Sequence, residues 1–185
     1  MATDIFRRSV FVSLFGIFTR PALSAVLNSS ALQKIPLTEH ERIMRLAIAE
    51  ARYNPVFPFG AVIVRASDRA LLARGVNSSI RNPSLHGEIV AMNDYVARHG
   101  NKDWNDVLLY TTGEPCSMCM SAMVWAGIGG VVFASSIETI KRAGINQIDI
   151  SARAVIDAAP FFKGALLGGV LAAETDEMFF NRKRN

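Results

Sequence analysis

The sequence predicts an α/β domain, a three-layer α-β-α sandwich whose mixed central sheet of about five strands carries helices on both faces. Three observations predict it. Short β-rich runs, Gly60 to Arg65, Leu71 to Val76, Val107 to Thr112 and Val131 to Ala134, alternate with stretches of helical apolar spacing. The 185 residues are 50% apolar and 19% charged, which suits one domain with a sizeable core and argues against disorder. No internal repeat, low-complexity tract or second domain interrupts the pattern.

Taken in order, Thr38-Glu39-His40-Glu41 has the form of a capping box, and Ile43, Met44, Ala47, Ile48 and Ala51 follow at helical spacing. A helix from Thr38 to about Tyr53 is expected, stopped by Asn54-Pro55. The first two strands are joined by the polar turn Ala66 to Arg69, so they form an antiparallel hairpin. Asn82-Pro83-Ser84 makes a loop, and a helix runs from about His86 to Arg98, ending at Gly100. The third strand is bounded by Gly113, and a helix from Cys116 to Ala126 ends at Gly127. Beyond Ser135, short helices near 137–143 and 151–158, a strand near 165–171 and a closing helix to about Asn181 complete the reading. Strands joined through helices imply right-handed crossovers and a sheet covered on both sides.

Residues 1–25 read as an address and residues 26–37 as a linker, leaving 38–185 as the folded domain. Arg7-Arg8 precede the apolar run Val10 to Phe18, which is followed by Pro21 and the small residues Ala22, Ser24 and Ala25. A basic start, a short apolar stretch and a small-residue exit is a secretory signal layout, and the paired arginines resemble a twin-arginine signal. The run is too short to span a bilayer, so no membrane span is expected in the mature protein. The expected location is periplasmic, with the cytoplasm as the alternative if the segment is an uncleaved extension that packs on the domain or a partner. Of the net +4 charge, this segment holds +2 (Arg7, Arg8 and Arg20 against Asp4). What remains, including Arg182-Lys183-Arg184, is too little for a nucleic-acid footprint; the tail reads as a solvated helix end.

Both cysteines of the chain fall in Pro115-Cys116-Ser117-Met118-Cys119, and one of its three histidines opens His86-Gly87-Glu88. Residues three apart on a helix are neighbours, so the two sulfurs share a face. Two thiolates and an imidazole are the ligands of an open zinc site whose fourth position is water, with Cys116, Cys119 and His86 as the metal ligands here. Glu88 is then a carboxylate free to move protons. Helix N-termini at both halves of the motif favour thiolates over thiols. A redox pair, half of a structural zinc site and two buried thiols are the competing readings. A structural site lacks a fourth protein ligand, because His40 and His99 read as a solvated or capping residue and a helix-end residue. A redox pair leaves His-x-Glu without a purpose.

His-x-Glu with Pro-Cys-x-x-Cys is the known signature of zinc deaminases, and both of its halves stand in this chain. From about Asn54 to Ser135 the chain resembles the cytidine deaminase-like superfamily. Asn54-Pro55-Val56-Phe57-Pro58-Phe59-Gly60, and Glu114-Pro115-Cys116-Ser117-Met118-Cys119 with Ala122 and Trp125-Ala126, resemble bacterial guanine deaminase. Glu-Pro-Cys is shared with tRNA adenosine deaminases, and His86-Gly87-Glu88-Ile89, with glycine in place of their usual alanine, is similar to fungal cytosine deaminase. The resemblance implies a zinc-dependent hydrolytic deaminase of a nucleobase, a purine such as guanine first. tRNA adenosine and cytosine are the alternatives, and an inactive zinc-stabilised scaffold is an alternative of a different class.

The resemblance further implies that Glu88 is the catalytic acid/base and that Asn77 hydrogen-bonds the base; a strand-end turn would also explain Asn77-Ser78-Ser79. Phe57, Phe59 and Trp125 are expected to wall the base pocket, with plain core packing as the other explanation. A homodimer is implied as well, since the helix bearing Met118, Met120, Met123, Val124 and Trp125 is apolar nearly all round and is expected to be buried on every side. One departure stands out: the guanine deaminases carry an acidic pair after an Ala-Gly like Ala143-Gly144, and Ile145-Asn146-Gln147 stand there in this chain.

Overall fold

The computed structural model describes residues 32–184; the expected leader and the first half of the expected linker, 26–31, lie outside the described residues, while Leu32 and Ile35 of its second half are buried in the core, so that half belongs to the domain. Five strands form one sheet, β1 (Gly60–Arg65), β2 (Leu71–Val76), β3 (Val107–Gly113), β4 (Gly130–Ser135) and β5 (Ala165–Leu167), in the order β2-β1-β3-β4-β5. β1 pairs antiparallel with both β2 and β3, whereas β3–β4 and β4–β5 are parallel, so the sheet is mixed as expected. The helices are α1 (Leu37–Ala51), α2 (Gly87–His99), α3 (Ser117–Ala126), α4 (Ile137–Arg142), α5 (Ala152–Asp157) and α6 (Ala172–Phe180).

The period-2 geometry of the strands splits the interior into two cores. Ala61, Ile63, Val107, Leu109 and Val131 point to the face covered by α2, α3 and α5. Val62, Val64, Leu108, Tyr110, Val132 and Ala134 point to the opposite face, under α1. Strands apolar on both sides need helices on both sides, which is why β1 and β3 read as continuous apolar runs. Close approach is built in at Gly75 of β2, where a Cβ would strike the backbone of Gly87 and Ala91 and hold α2 off the sheet.

Four further expectations need correction. α1 begins at Leu37 with Pro36 in the N-cap position, and no side-chain cap forms, so the capping box at Thr38 is not used. The carbonyl of Pro36 accepts from the N–H groups of Glu39 and His40 at 2.9 and 3.1 Å, so the fixed φ of proline starts the helix one position earlier. His40 is not solvated. It is buried, its Nε2–H donating to the Leu32 carbonyl at 3.0 Å while Nδ1 accepts from the Tyr110 hydroxyl at 2.9 Å. The last strand stops at Leu167, because Gly169 turns through φ +89° and Leu171 through φ +55° before α6 begins. Finally, α3 is buried through Cys119, Met120, Met123 and Val124, but Trp125 on its outer side is 79% exposed.

The edge formed by the end of β2, the start of β1 and the end of β3 lies beside the N-termini of α2 and α3. Gly60 pairs with Val76 there, and the chain leaves β3 at Gly113 directly into Glu114-Pro115-Cys116.

Candidate active site and metal centre

His86 and Cys116 occupy the N-cap positions of α2 and α3, both with extended backbone and neither side chain engaged in capping. Their side chains are therefore free to turn toward each other, and Cys119 joins them from one turn into α3. His86 Nδ1 lies 3.6 Å from Cys116 Sγ and 3.6 Å from Cys119 Sγ, and the two sulfurs are 3.7 Å apart. The chemistry of these donors can be tested against zinc directly. Tetrahedral bonds of the usual zinc lengths place two thiolate sulfurs about 3.8 Å apart and a sulfur and an imidazole nitrogen about 3.6 Å apart. The observed triangle fits, and among the described residues it is the one His/Cys/Asp/Glu group whose donor atoms close on a single metal position.

The electrostatics suit a dication. The thiol of Cys116 is lowered to about 4, chiefly by the hydrogen bond it shares with Cys119 and then by His86. Cys119 is pushed upward by that same bond and by burial. One negative charge thus already resides on the sulfur pair, and a metal removes the second proton. Glu88 sits in the first turn of α2, 3% exposed, and burial pushes its carboxyl up to about 7. A carboxyl at that value is able to accept and return a proton near neutrality.

These groups open into a cavity of about 170 Å³ lined by Phe57, Phe59, Asn77, His86, Glu88 and Cys116, and also by Ser79, Glu114, Ile145, Asn146 and Gln147. Asn77 lines this cavity and also makes the expected turn. Its Oδ1 accepts from Ser79 N–H at 3.2 Å and from Ser79 Oγ–H at 2.8 Å, which is the turn reading. A backbone N–H only donates, so the amide orientation is fixed and Nδ2 is the remaining donor of a side chain that lines the cavity. Asn54 braces the same corner, its Nδ2 donating to the Asn77 carbonyl at 2.9 Å.

Trp125 is the expectation the structure overturns. It lies outside this pocket, stacked on Phe161 with ring centres 5.4 Å apart, and lines a separate groove with Val124, Ile128 and Phe162. A helix apolar all round hides which face looks outward, and position 125 faces away from the side that Cys116 and Cys119 present to the site. Two contributors escape a reading of the sequence. Ser79 carries its signal in Asn-x-Ser, a turn pattern. Glu114 accepts from Ile137 N–H at 3.0 Å and from Ala152 N–H at 2.9 Å, so its carboxylate holds α4 and α5 beside the metal ligands. Nothing local to Glu114 announces partners 23 and 38 residues away.

The comparisons with known proteins agree with this geometry. The sequence profile described as "Cytidine and deoxycytidylate deaminase zinc-binding region" matches residues 37–135. The chain is 31% identical over 132 residues to guanine deaminase of Bacillus subtilis, covering 68% of this chain and 83% of the relative. It is 33% identical over 117 residues to a tRNA-specific adenosine deaminase of Streptococcus pyogenes, covering 60% and 66% of the two chains. With cytosine deaminase of Candida albicans it shares 31% identity over 115 residues, covering 57% and 75%. A solved guanine deaminase of Nitrosomonas europaea superposes with a TM-score of 0.66 at 20% identity, over 75% of this chain and 81% of that one, a likeness of fold. The chain belongs to the cytidine and deoxycytidylate deaminase zinc-binding family and is a zinc-dependent hydrolytic deaminase.

Proposed function

We propose that this enzyme deaminates a free nucleobase, a purine such as guanine, giving xanthine and ammonia. The observation that carries the reading is the small cavity that Glu88, with His86 and Cys116 of the metal triad, lines together with Asn77 and Phe57. The guanine deaminase relative, matched over 83% of its length, supports the same substrate. In this reading His86, Cys116 and Cys119 would hold zinc, which when bound would supply the Lewis acidity that brings the pKa of a water to near neutral. Glu88 is the catalytic acid/base: it takes a proton from that water, places it on a ring nitrogen and later helps the amine leave as ammonia. Water supplies the carbonyl oxygen of the product. Asn77 hydrogen-bonds the edge of the base, while Phe57 and Phe59 pack against its faces. Reaction in ¹⁸O-water tests this sequence of events: one ¹⁸O in the xanthine formed supports it, and none in that product refutes hydrolysis.

The proposal includes a homodimer. Met118 is 37% exposed on α3, and Trp125 and Phe161 form an exposed aromatic pair beside it at 79% and 55%. A surface of this kind fits a second copy of the chain. A sedimentation experiment giving only monomer at micromolar concentration would count against it.

A further inference from the structure

Two loops line the pocket without being part of any strand or long helix: residues 54–59, which bring Phe57 and Phe59, and residues 143–147, which bring Ile145, Asn146 and Gln147. Their positions must be fixed by contacts from elsewhere in the chain. Asn54 shapes the first loop from within, its Oδ1 accepting from the N–H groups of Val56 and Phe57 at 3.3 and 3.0 Å. Phe59 packs against an apolar cluster that includes Ala143 and Ile145, and the polar tie between the two loops comes from the segment that follows α6.

Arg182 reaches both. Its Nη1 donates to the Val56 carbonyl at 3.2 Å and its Nη2 to the Gly144 carbonyl at 3.2 Å. The guanidinium carbon lies 5.8 Å from the centre of the Phe57 ring, and the N–H of the next residue, Lys183, donates to the Pro55 carbonyl at 2.9 Å. The Nε of Arg182 is buried without a hydrogen-bond partner among the described residues. A side chain loosely laid on the surface would turn that nitrogen to water; here it is held inside while the fork is spent on two carbonyls from different loops. Because a guanidinium is rigid and planar, fixing one carbonyl fixes the place of the other. The sequence reads Arg182 as part of a solvated tail, and the structure corrects that reading.

We propose that Arg182 is a positioning residue that clasps the 54–59 loop to the 143–147 loop, and so sets the opening between Phe57 and Asn146-Gln147. As a statement about substrate affinity, this rests on the reading of the cavity as the base-binding site. Arg182 touches neither the metal ligands nor Glu88, so its loss acts on binding and not on the chemical step.

The test uses the zinc-loaded full chain and the variants Arg182→Met and Arg182→Lys. KM and kcat are measured on the base that the wild type turns over, together with zinc content and amide hydrogen exchange of peptides covering both loops. The expected result is a KM raised about tenfold with kcat within about threefold, from the loss of two charge-assisted hydrogen bonds. Zinc is retained and exchange quickens in both loops together. Arg182→Lys gives the same result, because one ammonium cannot hold two carbonyls in a fixed plane. A KM within about twofold of wild type, exchange quickened in one loop only, or full rescue by lysine overturns the proposal. Should the methionine variant fail to fold, the lysine variant alone decides by the same criteria. Exchange needs no substrate, so a wild type that turns over no base defeats the functional reading separately and leaves the clasp to be judged on exchange.

Discussion

The carbonyl oxygen of Phe59 lies 2.6 Å from where a Cβ on Gly87 would stand. That oxygen also accepts the N–H of Asn77 at 2.9 Å. One peptide group of the pocket loop is thus pressed between the first turn of α2 and the strand end that presents Asn77, which is the physical reason for glycine inside His-Gly-Glu.

Gly87→Ala follows from this relationship. Replacing a helical glycine by alanine normally stabilises by about 0.5–1 kcal/mol, whereas forcing a side chain into filled space costs about 1–3 kcal/mol. The second effect wins here, because the obstacle is backbone and cannot rotate aside. The expected outcome is a net loss of stability in denaturant titration and a raised KM, with zinc content unchanged.

Cys116→Ser and Cys119→Ser are each expected to lose zinc and turnover together, since each removes one corner of the donor triangle. Metal analysis after gel filtration checks this. Retention of zinc at one equivalent in either variant would mean that the ligand set is wrong.

Glu88→Gln separates chemistry from stability. Turnover should fall by roughly 10²–10⁴-fold while zinc stays bound, as expected for removal of a general acid/base. In the zinc-chelated protein the same variant should be more stable than wild type at alkaline pH. The sign follows from the raised carboxyl: at about 7 against an ordinary 4.5, the folded state holds a proton that the unfolded state has lost. Stability of the wild type therefore falls as pH rises through that window, by about 3 kcal/mol in all. The advantage of glutamine should vanish below pH of about 4.5 and reach its full size above about 7. Parallel pH profiles for the two proteins would show that Glu88 is not the buried acid described.

Arg7 and Arg8 carry the proposal of export. Changing both to lysine should keep the full-length chain in the cytoplasm, because a twin-arginine pathway distinguishes guanidinium from simple positive charge. Cell fractionation checks it; the pair-changed protein appearing outside the cytoplasm would remove that route.

Much of this molecule can be read from its sequence because its signals are local. The strands announce themselves by β-rich runs ended by glycine, and the metal donors by two short motifs whose spacing places them at helix starts. What escapes is set by distant partners. His40 reads as a helix-start residue until Tyr110, 70 residues away, and the Leu32 carbonyl bury it. Trp125 reads as a pocket residue because its ring could stack on a base, and α3, apolar all round, gives no phase to show that it faces away. Arg182 reads as tail, although its partners are backbone carbonyls, which carry no sequence signature at all.

Ammonia release by the zinc-loaded enzyme, measured over guanine, adenine, cytosine, their nucleosides and tRNA, tests the central claim most directly. Release from guanine above every other substrate, abolished in Glu88→Gln, is the predicted result. Release from tRNA alone, or from none of them with zinc fully bound, would contradict it.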